Sequence, residues 1–160
     1  MTLEEQLRQR VELVLDPELP FLTVQELGII RGIECSEKEA IIWITPTYTG
    51  CPATDVIRED IQKAAQEIHP HARVELVISP PWTTDWISEE TKVKMALHGI
   101  APPAGTSADK SFLLGDSRII PCPRCKSDQT KLISPFGSTA CKAHFQCESC
   151  LEPFDHFKCI

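Results

Sequence analysis

Two short cysteine pairs near the carboxy terminus, Cys122-Pro123-Arg124-Cys125 and Cys147-Glu148-Ser149-Cys150, constrain this 160-residue chain more than any other feature. A C-x-x-C step puts two sulfurs on one tight turn, close enough to reach the same ion. Two such turns supply the four thiolates of a closed tetrahedral site. The spacer between the pairs has room for a hairpin through Leu132-Ile133-Ser134 and Ala143-His144-Phe145. The expectation is one structural zinc per chain, held by Cys122, Cys125, Cys147 and Cys150 in a zinc ribbon over residues 119–160. Four thiolates also hold iron, alone or in an iron-sulfur cluster, and the spacing leaves that alternative open. Cys141 and Cys159 are additional thiols of the same tail, either packed as small apolar residues or available as exchangeable ligands.

Six of the 8 cysteines lie after residue 120, and four are paired at this spacing. The opening Met1-Thr2-Leu3-Glu4-Glu5 lacks the basic-then-apolar order of a secretory signal, so thiolate ligands in a cytoplasmic protein are expected rather than disulfides. No apolar run approaches the roughly 20 residues that a membrane helix needs. The net charge is −7, with 11 Lys and Arg against 19 Asp and Glu over residues 1–118 and 5 against 4 over residues 119–160. Neither part carries the basic stripe that neutralises a phosphate backbone, which argues against nucleic acid as a partner.

Upstream of the tail the pattern is helix, two strands, helix, strand, helix: a small α+β domain, helices on a sheet, over residues 1–100. Thr2 and Glu5 have capping-box spacing, and Leu3, Leu7, Val11 and Val14 recur at helical intervals until Asp16-Pro17 ends the helix. Ile29 to Cys35 and Ala40 to Thr45 are β-rich on either side of a polar turn, which predicts a hairpin. Beyond Gly50, Ile57, Ile61, Ala65 and Ile68 share a helical face, with Pro52 at the first helical position and Cys51 as N-cap. Arg73 to Ser79 alternates, predicting a strand that turns Val74, Leu76 and Ile78 inward. Ser88-Glu89-Glu90 opens a last helix that Gly99 closes, and residues 101–118, rich in Pro, Gly, Ser and Ala, make a linker.

Cys51 stands at the start of a helix, where amide dipoles favour a thiolate, so it is suited to bind a soft metal or attack an electrophile; the plainer alternative is a packed thiol. Asp16 and Glu18 offer hard oxygen ligands or, equally, turn chemistry. There is no phosphate-cradling glycine loop, paired-histidine metalloprotease motif or nucleophile elbow. No catalytic residue is therefore assigned, and no activity of the chain's own is expected. His69 and His71 fall in a loop expected to be solvated, while Trp82 and Trp86 are expected to pack in the core or on a partner.

Three runs, Asp16-Pro17-Glu18-Leu19-Pro20, Glu26-Leu27-Gly28-Ile29-Ile30 and Thr45-Pro46-Thr47-Tyr48-Thr49-Gly50-Cys51-Pro52, together resemble the MIP-type, SufT-like domain linked to iron-sulfur cluster assembly, over about residues 4–100. The tail runs Ser134 to Ala143 and Glu152 to Cys159 are similar to the PaaD-like family of the bacterial phenylacetate pathway, which extends the resemblance to nearly the whole chain. The resemblance implies an accessory protein of the phenylacetyl-CoA 1,2-epoxidase system, a ring-oxygenating monooxygenase of several components. Its implied role is iron-sulfur cluster or metal-centre assembly and repair in the reductase or the oxygenase. Cys51, with Asp16 and Glu18, is then the position that handles transient iron or an iron-sulfur cluster. The implied partners are the other epoxidase components, above all the iron-sulfur flavin reductase, and a homodimer is a further expectation. The alternative is a structural or coupling subunit of the oxygenase complex. Thr49 stands where the family more commonly has proline, so a different turn is expected ahead of Cys51.

Overall fold

The computed structural model describes residues 1–48, 50–105 and 119–158. The chain divides into two compact units, Met1–Trp82 and Thr83–Ile160. The first runs α1 (Leu3–Glu12), β1 (Ile30–Cys35), β2 (Ala40–Ile44), α2 (Ala53–Gln66) and β3 (Ala72–Leu76). The Thr2/Glu5 capping box closes reciprocally, with Glu5 N–H donating to Thr2 Oγ1 at 3.2 Å and Thr2 N–H to Glu5 Oε2 at 2.6 Å. β1 and β2 form the expected antiparallel hairpin, bulged between Ile30 and Gly32. β3 lies parallel to β2, in the order β1-β2-β3. That parallel pairing requires a crossover, and α2 supplies it.

Leu7, Val11, Ile42, Ile44, Ile61 and Ala65 are fully buried, so the inward stripes of both helices and the inward face of β2 make one core. Each of the leucine, valine and isoleucine side chains contributes about 1.5–3 kcal/mol on leaving water. A bidentate ion pair, Arg10 Nε to Glu67 Oε2 at 2.6 Å and Arg10 Nη2 to Glu67 Oε1 at 2.8 Å, ties α1 to the end of α2.

Two expectations for this unit are corrected. β3 buries Ala72 and Val74 only; the strand ends at Leu76, which is 43% exposed, and Ile78 beyond it is 72% exposed. His69 is buried rather than solvated, because its Nε2 faces the Ser36 carbonyl at 3.1 Å while the His71 amide donates to its Nδ1 at 3.2 Å. Trp82 is buried as expected, its indole N–H donating to the Leu27 carbonyl at 2.7 Å.

The second unit contains α3 (Glu89–Leu97), β4 (Ile100–Ala101), β5 (Thr130–Ser134), β6 (Lys142–Cys147) and β7 (Pro153–Phe157). Ser88 caps α3 by accepting the Thr91 amide, and Gly99 leaves the helix at φ +79°. β5, β6 and β7 are an antiparallel ribbon in which Leu132 faces Phe145 and Phe145 faces Phe154. β4 then adds to β7 in parallel. This pairing lies within the compact unit that begins at Thr83. It also makes Ala101, the first residue of the expected linker, part of a buried cluster with Ile120, Ala143, Phe145 and Phe154. Residues 106–118 of that linker lie outside the described residues.

Candidate metal centre and thiol site

The two C-x-x-C turns are near repeats of each other. After Cys122 the chain turns so that Lys126 N–H reaches the Cys122 carbonyl at 2.9 Å and Cys122 N–H reaches the Ser127 carbonyl at 3.0 Å. After Cys147 the same five-residue step returns, with Cys147 N–H donating to the Glu152 carbonyl at 3.0 Å. In each turn the residue following the second cysteine adopts a positive φ, 64° at Lys126 and 65° at Leu151. The turns are tied together by Glu148 N–H on the Gln129 carbonyl at 2.7 Å and by the Ser127 and Ser149 hydroxyls at 2.7 Å.

These turns bring the four sulfurs within 4.8 Å of one another, with Cys122 Sγ to Cys150 Sγ at 3.8 Å and Cys125 Sγ to Cys147 Sγ at 3.5 Å. A tetrahedron with metal–sulfur bonds of about 2.3 Å has edges of roughly 3.8 Å, so the spacing suits one thiolate-bound ion. The electrostatics point the same way. Amide donation from Cys150, at 3.5 Å, and then from Ser149, together with the neighbouring thiols, lowers the Cys147 pKa to about 6. Cys150 is pushed up to about 12: the Glu152 amide acts to lower it, but desolvation and hydrogen bonding with Cys147, Cys125 and Cys122 outweigh that. Protein donors alone thus favour one thiolate while opposing a second beside it. A central dication removes the opposition.

Among the described residues, these four cysteines are the one group of three or more Cys, His, Asp or Glu ligand atoms that could hold a metal. The other predicted site residues take separate places. Cys51 is half-buried; its N–H donates to Tyr48 O and its carbonyl accepts from Thr54 N, both at 3.2 Å. The helix begins one residue later than expected, with Pro52 rather than Cys51 as N-cap. Gly50, at φ +82°, makes the tight turn that delivers Cys51 to it, and Thr49 lies outside the described residues. Asp16 is buried, and its Oδ1 accepts from the Glu18 and Leu19 amides at 2.8 Å each, so at least one carboxylate oxygen closes the turn. Cys141 is buried with its sulfur 3.0 Å from Thr139 Oγ1, and Cys159 lies outside the described residues. Residue reasoning missed the buried His156, which sits edge-on to Phe145 and contacts the Ala101 carbonyl through Nδ1 at 3.2 Å. Its place follows from the β4–β7 pairing, for which a two-residue strand left no periodic signal.

The fold and the cysteine geometry define a small α+β unit and a ribbon whose four-cysteine group suits a structural metal such as zinc. Residues 4–76 match the model of the iron-sulfur cluster assembly protein family, and residues 106–158 match that of the PaaD zinc beta ribbon domain. The chain is 45% identical over 146 residues to an Escherichia coli protein assigned to the 1,2-phenylacetyl-CoA epoxidase as one of its subunits, covering 91% of this chain and 86% of that protein. It therefore belongs to the PaaD family. It is also 31% identical over 100 residues to the Fe-S protein maturation auxiliary factor YitW of Bacillus subtilis, covering 59% of this chain and 95% of that protein. Among solved structures it is similar to the DUF59 domain of Bacillus anthracis, with TM-score 0.53, 28% identity, and coverage of 59% of this chain and 92% of that one. Among the described residues no helix is long and apolar enough to cross a membrane.

Proposed function

We propose that this chain is a maturation factor of the phenylacetyl-CoA 1,2-epoxidase system, delivering or restoring iron or an iron-sulfur cluster in the reductase or the oxygenase. In this reading the first unit presents Cys51 to the cargo, and the ribbon, built on one structural zinc, serves contact with the client. The observation that carries the proposal is one chain combining a domain shared with Fe-S protein maturation factors and a ribbon shared with an epoxidase component.

Cys51 suits a transfer role because it is half-buried beside a tight turn and, among the described residues, no further ligand atoms are gathered into a closed metal-holding group with it. A thiol with an incomplete ligand set releases cargo that a closed set would retain. The remaining ligands would come from the client or from a second copy. Zinc suits the tail because a closed set of four thiolates matches its tetrahedral preference.

The second reading, a structural or coupling subunit of the oxygenase, is favoured by the Escherichia coli relative assigned as an epoxidase component. Reconstitution separates the two. Fully metallated oxygenase and reductase should epoxidise phenylacetyl-CoA at the same rate with and without this chain. A rate that rises with this chain and saturates at stoichiometric addition would replace the maturation reading with the structural one.

A further inference from the structure

Within the second unit, the end of α3 and the first cysteine turn enclose a groove of about 550 Å³ lined by Val93, Leu97, Gly99, Pro123, Arg124 and Lys126. Val93 and Leu97 are one helical turn apart and 60% and 79% exposed, on a helix that buries Thr91 and Met95. The opposite wall is cationic. The turn Cys122–Ser127 contains no Asp or Glu and brings Arg124 and Lys126 to the groove, in a chain of net charge −7.

The two cations of the turn are set in place. The Lys126 ammonium donates to the Pro123 carbonyl at 2.9 Å, and Arg124 Nη2 lies 3.9 Å from where a Cβ on Gly99 would stand. No carboxylate among the described residues pairs with either. An apolar strip alone would accept any apolar partner; a strip faced by two exposed cations that no carboxylate among the described residues pairs with favours one that brings carboxylates. Arg124 lies between the ligands Cys122 and Cys125, and Lys126 follows the second of them, so the cationic wall is part of the cysteine turn.

We infer that this groove docks an acidic segment of a partner protein, with aliphatic side chains seated on Val93 and Leu97 and carboxylates against Arg124 and Lys126. The inference is independent of the role of Cys51, which lies in the other unit. The test is an NMR titration of the isotopically labelled, metal-loaded full chain with the peptide acetyl-Glu-Leu-Glu-Asp-Leu-Glu-amide. Amide shifts should concentrate in residues 93–99 and 123–126 and weaken as salt rises. The dissociation constant should rise about fivefold in Arg124→Ala, the scale of one exposed charge pair. It should rise about tenfold in Leu97→Ser, the scale of a lost aliphatic contact. Both side chains are exposed, so both variants should keep their metal and their fold. The peptide acetyl-Lys-Leu-Lys-Lys-Leu-Lys-amide should not bind. Equal binding of the two peptides, unchanged affinity in both variants, or no shift at millimolar peptide would overturn the inference. So would concentration-dependent shifts of the same residues without peptide, which would make the groove a contact between copies.

Discussion

Replacing a thiol by a hydroxyl is cheap where the sulfur reaches water and costly where it fills a core. Cys51 is half-buried and makes its hydrogen bonds through the backbone, so Cys51→Ser should change stability by less than about 2 kcal/mol, the scale of a disrupted core or cap. Denaturant unfolding measures this, and a larger loss would make Cys51 a packing residue. Gly50 is the opposite case: glycine adopts φ +82° without strain but a residue with a Cβ does not, and Gly50→Ala should cost about 1 kcal/mol although a Cβ there would meet no neighbour within 4 Å. The Glu67 carboxyl is held below its ordinary range by its hydrogen bond from Arg10. A carboxyl whose folded pKa is depressed adds stability above its unfolded pKa, near 4.5, and loses it as pH falls through the lower folded value. Glu67→Gln should therefore be slightly less stable than the parent at pH 7 and equal to it in strong acid. Urea midpoints across that range check the sign, and a deficit that persists in acid would contradict it.

Elements with a strong period were legible before the structure: α1 from its capping box and apolar spacing, the β1–β2 hairpin, and the β5–β6 hairpin between the cysteine pairs. β3 shows where that reading fails. Alternation from Arg73 to Ser79 marks a strand, but periodicity does not say where pairing stops, and Leu76 and Ile78 lie at or beyond the end of the ladder. The cysteine turns carry a different kind of information. Spacing revealed their ligand geometry, while the strained residue after each pair left no mark, because Lys126 and Leu151 are not the glycines that a positive φ favours. Lys126→Gly and Leu151→Gly should each raise the stability of the metal-loaded protein by about 1 kcal/mol. No gain in either would mean that the lysine and leucine side chains make contacts offsetting the strain.

At the scale of the whole molecule, composition suggests a boundary near residue 100, while the compact units meet at Trp82 and Thr83. Ala101 reads as the first residue of a linker, yet with Ile100 it forms a strand whose partner, β7, lies more than fifty residues further along the chain. Long-range pairing of that kind is invisible to local pattern. Removing the metal with a chelator under reducing conditions should abolish hydrogen-exchange protection across β5, β6 and β7 and leave α1, α2 and β1 to β3 protected, since a ribbon of this size folds only around its ion. Uniform loss, or none, would show that the two bodies are not separately stabilised. The maturation role is tested most directly by the iron and labile sulfide content of the epoxidase reductase and oxygenase purified from cells with the native chain, from cells without it, and from cells carrying Cys51→Ser. The account predicts equal amounts of polypeptide in all three and a deficit of iron or cluster in the last two. Full metal and sulfide content in all three, with epoxidation restored only by adding this chain in stoichiometric amount, would contradict it.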